Sequence, residues 1–310
     1  MPVPTPTLSP AAARRLLSPL FRIALHPRLP FVAQRRILEL LAPVQRCPAG
    51  TVTRRTVLAG RPVERVTVGA TERRAAVLYL HGGAYTAGSP ATHRSLAAHL
   101  AAAADAAVYV LDYRLAPEHR CPAAVEDATA AYLELVTEQF GADSAVALAG
   151  DSAGGGLAVA TAVRLRDRHG VSPAALGLLS PWTDPSAALP FYRDVVINAG
   201  WTSASCRAYL GDGDPTDPDF APMYADLAGL PATLVQVATT EALYRQVCTF
   251  ASKLGEAGVD TTLVEQPELW HVAPLQASLV PEAAAAIADF GRFLRDHTRP
   301  STGPETSSRA

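Results

Sequence analysis

Short apolar runs recur along the chain at Val77–Leu80, Ala107–Leu111, Ala145–Ala149, Leu176–Leu179, Thr233–Val237 and Thr261–Val264. Runs of four or five residues without polar alternation suit strands covered on both faces. Val63 to Val68 alternates instead, as an antiparallel strand with one wetter face does. Most of the runs are separated by helix-like segments: Thr92–Ala104, Pro122–Phe140, Ala153–His169, Leu243–Ala257 and Pro281–His297. This alternation predicts an α/β protein with a mainly parallel sheet and helices on both faces. Two regions break the rhythm. Ala11–Leu17 and Phe31–Leu41 carry apolar residues at helical spacing ahead of the first convincing strand, and suggest a lid or a dimer contact. Residues 182–229, with Trp182, Trp201, several prolines and Gly211-Asp212-Gly213-Asp214-Pro215, read as an excursion off the sheet. The proline-rich residues 1–10 are expected to be loose and residues 299–310 to be a disordered tail.

Composition narrows the class. With 310 residues, 49% hydrophobic and 18% charged, the chain has ample apolar material for a large core. A formal net charge of −2 gives no general attraction to nucleic acid or to acidic membrane surfaces. Cys47, Cys121, Cys206 and Cys248 are scattered without a Cys-x-x-Cys pair, and are expected to be free, mostly buried thiols. The first residues lack the basic-then-apolar run of a signal peptide, and no apolar stretch approaches the roughly 18 residues of a membrane span. The expectation is a cytoplasmic protein without metal or cofactor, acting on a small molecule.

The densest chemistry lies at Gly150-Asp151-Ser152-Ala153-Gly154-Gly155, where an apolar run meets a Gly-x-Ser-x-Gly turn and a helix pattern follows. Such a strand–turn–helix pushes the serine hydroxyl clear of the sheet, and its neighbours must be small because the backbone folds tightly on itself. Taken alone, a glycine-rich turn between strand and helix is commonplace, but two further segments stand where this chemistry needs them. His81-Gly82-Gly83-Ala84-Tyr85 follows a strand, and adjacent glycines let backbone N–H groups turn inward to hold an oxyanion. The N–H of Ala153, at a helix N-terminus, is another candidate donor. Trp270-His271-Val272 follows the last strand, 119 residues after Ser152, in the chain order nucleophile, acid, histidine. His81 precedes the nucleophile, so a structural hydrogen bond suits it better than a role as base. Asp112-Tyr113-Arg114-Leu115-Ala116-Pro117-Glu118-His119 reads as an ordered loop in which Asp112, Arg114 and Glu118 neutralise one another, in preference to a Glu118–His119 acid–base pair.

Together these three segments resemble the hallmark motifs of the hormone-sensitive-lipase family of α/β-hydrolases, over about residues 50–297. Ser180-Pro181-Trp182-Thr183-Asp184 and Tyr224-Ala225-Asp226-Leu227 also fit its bacterial esterase branch. The resemblance implies the α/β-hydrolase fold, an eight-stranded, mostly parallel sheet under a helical cap. It assigns residues 1–50 and 185–222 to the cap, and 51–184 and 223–298 to the core. It implies ester hydrolysis with Ser152 as nucleophile, His271 as base, and an oxyanion hole among Gly82, Gly83, Ala84 and Ala153. Tyr85 and Asp151 are expected beside the substrate, with Leu16, Leu17, Phe21, Phe191 and Trp201 of the cap setting acyl and alcohol preference.

Two positions depart from the family. The acid segment reads Val237-Ala238-Thr239-Thr240-Glu241-Ala242, so Thr240 stands where an aspartate is usual and Glu241 is the neighbouring carboxylate. Either Glu241 reaches His271 through a shifted loop, or the triad is incomplete. An incomplete triad would favour a cyclase, lactonising or acyl-transfer reaction. A non-catalytic small-molecule binder is a separate alternative, which the presence of both Ser152 and His271 disfavours. A glutamate before a helix can also be merely a solvated N-terminal charge. Ala84 replaces a third glycine, and its Cβ is expected either to narrow the pocket or to tilt one oxyanion donor.

Overall fold

The computed structural model describes residues 7–140, 146–189 and 194–298. Eight strands, β1 (Thr51–Leu58), β2 (Arg61–Val68), β3 (Ala76–Leu80), β4 (Ala107–Leu111), β5 (Val146–Asp151), β6 (Leu176–Leu179), β7 (Thr233–Ala238) and β8 (Thr261–Gln266), form one sheet. Their order is β1-β2-β4-β3-β5-β6-β7-β8. β1 and β2 form an antiparallel hairpin and β2 runs antiparallel to β4. From β4 to β8 every neighbouring pair is parallel. β1 is the one strand without a sequence signal of its own. Arg54, Arg55 and its three threonines leave it neither apolar nor alternating, and an edge strand has no need to be either.

Along β3 successive side chains point to opposite faces. Val77 and Tyr79 pack with Leu96 and Leu100 of α3 (Pro90–Ala104) and Phe290 of α8 (Pro281–Thr298). Leu78 and Leu80 join the other cluster, with Val125 of α4 (Ala123–Glu134), Leu157 of α5 (Ala153–His169) and Phe250 of α7 (Tyr244–Glu256). Both faces of the central strands are therefore dry, which is why their sequences read as unbroken apolar runs. Fully burying a side chain such as Phe290 stabilises by roughly 1.5–3 kcal/mol.

Three helices stand outside this sandwich: α1 (Pro10–Ala24), α2 (Phe31–Leu41) and α6 (Ala199–Leu210). α1 runs seven residues beyond the stretch legible as helix, through Pro19, whose outward position is exposed. Ser9 caps its start by accepting a bond from the Ala12 N–H at 3.3 Å. Its inner face sets Ala13, Leu17 and Phe21 against Leu269, Trp270 and Ala273, beside the loop that follows β8. α6 is capped by Asn198 Oδ1, which accepts from the Trp201 N–H at 2.8 Å. α4 is α-helical only to Glu134, and a wider helical turn over Leu135–Phe140 completes the longer helix its pattern predicted.

Candidate active site

The site forms beyond the C-terminal ends of β3, β5, β7 and β8. β5 ends at Asp151 and α5 begins at Ala153, so the chain reverses on Ser152, with φ 51° and ψ −120°. A non-glycine residue in such a conformation costs about 1–3 kcal/mol and persists only where its surroundings enforce it. Here the Ser152 N–H donates to Leu179 O at 2.8 Å, and Ser152 O accepts from Trp182 N at 2.8 Å and Gly156 N at 3.1 Å. A Cβ on Gly154 would lie 2.0 Å from Leu80 O, so the helix can approach β3 this closely only with glycine there.

His271 sits in the loop after β8, buried at 2% exposure. Its Nε2 lies 2.9 Å from Ser152 Oγ, and its Nδ1 lies 3.0 Å from Glu241 Oε1. Glu241 follows β7 in a tight turn and is 1% exposed, so it is not a solvated helix-end charge. Its second oxygen, Oε2, accepts from Ser180 Oγ at 2.7 Å and from the Ala238 N–H at 3.1 Å. A buried carboxylate is tolerable because each oxygen has a partner. Burial alone would depress the His271 pKa, but the adjacent Glu241 charge and hydrogen bond outweigh it and hold the pKa above the ordinary imidazole value. Thr240 turns the other way. Its hydroxyl donates to Leu269 O at 2.9 Å and accepts from Arg14 Nη2 at 3.0 Å, and the same Arg14 nitrogen donates to Leu269 O at 2.6 Å.

Three supporting residues escaped the sequence reading. Ser180, at the end of β6 inside an otherwise noticed segment, steadies Glu241. Asp194 accepts from the Ala242 N–H at 2.9 Å and from the Val196 and Ile197 N–H groups, tying the segment after Glu241 to the excursion before α6. Arg14 reaches both loops from α1. For Ser180 the position at a central strand's C-terminal end was a usable signal; Asp194 and Arg14 carry none.

The glycine loop after β3 differs in one respect from expectation. The Gly82 N–H donates to Asp151 Oδ1 at 2.9 Å, so it is taken and unavailable to an oxyanion. Among the described residues no acceptor is bonded to the N–H of Gly83, Ala84 or Ala153, and these three remain the candidate donors. Asp151 also accepts from the Tyr79 hydroxyl at 2.9 Å and lies 3.3 Å from His93 Nε2. Burial opposes its charge, but His93, Tyr79 and the Gly82 amide together hold its pKa below the ordinary carboxylate value. Asp151 lines the cavity, with its carboxylate turned to the loop. His81 is fully buried, its pKa is lowered to about 3 by burial, and its ring stacks on Tyr113 with centroids 4.3 Å apart. Its Nδ1 donates to Gly82 O at 2.9 Å, a structural part in the loop.

Ser152 and His271 open into an apolar cleft of about 1070 Å³ including its mouth, walled by Leu17 and Phe21 of α1, Leu38 of α2 and Trp201 of α6. The Trp201 indole is oriented by Gln34, whose Oε1 accepts its Nε1–H at 2.8 Å. Leu16 is instead 63% exposed and outside this lining, because it lies on the outer side of α1. Tyr85 is also misplaced by the sequence reading: at φ 61° its ring turns inward, 1% exposed, and stacks on Tyr209 at 3.8 Å. Ala84 (φ 53°) is buried and outside the cleft lining, so its Cβ does not narrow the cleft as the sequence suggested. Phe191 lies outside the described residues. Asp112, Arg114 and Glu118 do not neutralise one another: Arg114 pairs with Asp127 at 2.8 Å and Glu118 with Arg35 at 2.7 Å, both partners coming from neighbouring helices. The four cysteines are free and half-buried. Among the described residues no group of three or more His, Cys, Asp or Glu side chains is placed to hold a metal ion, and no helix is long and apolar enough to cross a membrane.

Comparison with known proteins agrees with this architecture. Residues 77–275 match the family described as alpha/beta hydrolase fold. The chain is 40% identical over 284 residues to the Mycobacterium tuberculosis protein LipR, covering 89% of this chain and 91% of that one. It is 41% identical over 227 residues to an acetyl-hydrolase of Streptomyces hygroscopicus, covering 72% and 76% of the two. A solved esterase of the bacterial hormone-sensitive lipase family superposes with a TM-score of 0.87 at 37% identity, covering 94% of this chain and 100% of that one. A hormone-sensitive lipase from a metagenome library gives 0.85 at 33% identity, covering 95% and 100%. With its eight-stranded sheet, covered faces and reversal at Ser152, the chain belongs to the bacterial hormone-sensitive-lipase family of α/β-hydrolases.

Proposed function

We propose that this carboxylesterase-type hydrolase cleaves esters of small carboxylic acids through an acyl-enzyme on Ser152. The observation that carries the reading is the unbroken line from Ser152 Oγ through His271 Nε2 and Nδ1 to Glu241 Oε1, with steps of 2.9 and 3.0 Å. Ser152 Oγ attacks the acyl carbon while His271 Nε2 takes its proton, and Glu241 stabilises the imidazolium that forms. The tetrahedral oxyanion accepts bonds from the N–H groups of Gly83, Ala84 and Ala153, each such donor being worth roughly 3–4 kcal/mol in the transition state. Collapse expels the alcohol, which receives the proton from His271. Water deprotonated by the same imidazole then attacks the acyl carbon and frees the acid and Ser152. Helices α1, α2 and α6 act as a cap, drawn from residues 1–50 and 185–222, over a core of 51–184 and 223–298.

The cyclase and acyl-transfer readings drew their weight from an acid missing at position 240. A buried glutamate hydrogen-bonded to the histidine removes the observation that favoured them. Turnover of p-nitrophenyl acetate and butyrate tests the proposal. Saturable hydrolysis by the wild type, lost in Ser152→Ala, is expected; absence of turnover with a folded protein contradicts it.

A further inference from the structure

The overall charge of −2 conceals a strong asymmetry. Residues 1–50 hold seven arginines (Arg14, Arg15, Arg22, Arg28, Arg35, Arg36 and Arg46) against the single acid Glu39, a local balance of +6. Arg14 and Arg35 are engaged inward, with the loops around the active site and with Glu118. Arg15, Arg22, Arg28 and Arg36 are exposed, and among the described residues none of them has an ion-pair partner.

The same segment breaks the usual rule for apolar side chains. Of the nine large hydrophobic residues exposed on the described molecule, six lie on it: Leu16 (63%), Leu20 (36%), Ile23 (67%), Val32 (48%), Leu40 (80%) and Val44 (63%). Their spacing is not random. Leu16 and Ile23 lie on the outer side of α1 with Leu20, one turn from Leu16, at its margin with the cleft, while Val32 and Leu40 flank Arg36 on one side of α2 at four-residue steps. Leu20 and Val44 also line the cleft that opens on Ser152, so this apolar surface is continuous with the mouth of the site. Exposed apolar residues clustered on one surface mark a place of contact. Apolar tips among unpaired arginines fit an anionic amphiphile surface: the tips enter the acyl layer while the guanidinium groups meet headgroup phosphates.

We propose that α1 and α2 form a docking face for anionic lipid assemblies, set around the entrance to the cleft. This departs from the expectation drawn from net charge alone, since attraction to a surface is governed by the charge nearest to it. The inference does not depend on the proposed ester hydrolysis. It concerns binding, and its test uses lipids that carry no ester bond.

The full-length protein is sedimented with vesicles of ether-linked phosphatidylglycerol, or of ether-linked phosphatidylcholine, at low and high salt. Retention on phosphatidylglycerol, weakened by salt and much lower on phosphatidylcholine, is expected. Each arginine near an anionic surface is worth about five-fold in partitioning, so Arg15→Gln/Arg22→Gln/Arg36→Gln should weaken retention roughly a hundred-fold. Leu16→Ser/Ile23→Ser/Leu40→Ser should also weaken it, and both variants should keep the wild-type melting temperature and turnover of a soluble ester. The proposal is overturned if the wild type shows no preference for phosphatidylglycerol, or if neither variant loses retention. It is equally overturned if the protein is a dimer that binds no vesicles and that Leu16→Ser/Ile23→Ser/Leu40→Ser converts to a monomer, because the face would then meet a second copy of this chain.

Discussion

Glu241→Gln is the most informative single change at the site, because the bonds around Glu241 dictate how a glutamine must sit. The pocket of Oε2 is formed by two donors, Ser180 Oγ and the Ala238 N–H, so it requires an acceptor. The glutamine carbonyl oxygen takes that place and its amide group then faces His271 Nδ1. Nδ1 must accept, the ring proton moves to Nε2, and the nitrogen facing Ser152 at 2.9 Å can no longer remove the hydroxyl proton. The charge is lost as well. At 3.0 Å and an effective dielectric of about 20, the carboxylate–imidazolium attraction is about 5 kcal/mol, or three to four decades in rate. An amide for the acid of a serine-protease triad costs about 10⁴ in turnover, which is of the same order. The assay is kcat and kcat/KM on p-nitrophenyl butyrate across pH, with thermal melting as the control for folding. In the proposed mechanism His271 acts as the neutral base, and its pKa is raised in the wild type, so activity should fall as pH drops through a value above about 6.5. In Glu241→Gln the residual activity should keep its plateau to lower pH, because the charge raising that pKa is gone. A loss of less than about thirty-fold with an unmoved acid limb would refute the role given to Glu241.

Two other changes probe the supporting structure. Asp151→Ala leaves the Gly82 N–H and Tyr79 hydroxyl without their acceptor, at about 1–3 kcal/mol for each orphaned group, so a melting temperature several degrees lower and reduced kcat with little change in KM are expected. Arg14→Ala removes the bonds from α1 to Thr240 and Leu269, and a loss of about 1–3 kcal/mol in stability by urea unfolding is expected, with Thr240→Val adding little on top because both act through one network.

The parts of this molecule that were legible in the sequence are those where local geometry and chemistry coincide. β3 to β7 are dry on both faces, so each of these strands is announced by its own residues, while β8 at the sheet edge keeps a short apolar run although it is half exposed. The reversal at Ser152 needs small neighbours, and the spacing to His271 follows from strands that must intervene. What stayed hidden depends on partners far away in the chain. Gly82 has a donor like any other residue, and only the fold reveals that Asp151 has claimed it. Tyr85 follows a glycine loop and could face either way until its positive φ and Tyr209 turn it inward. The alternating charges of 112–118 look self-sufficient in one dimension, yet Arg35 and Asp127 are better placed to pair with them. At the acid position, Thr240 and Glu241 were adjacent alternatives, and the bonds of Thr240 to Leu269 and Arg14 direct its hydroxyl away from the histidine.

The central claim is that the hydroxyl on the strained reversal after β5 is the nucleophile. Intact-protein mass spectrometry after treatment with an organophosphate, followed by peptide mapping, addresses it most directly. A single stoichiometric adduct on Ser152 is expected, forming in step with loss of ester turnover, and neither adduct nor turnover should be found in Ser152→Ala. Turnover persisting in Ser152→Ala, or inactivation tracking an adduct on any other residue, would contradict it.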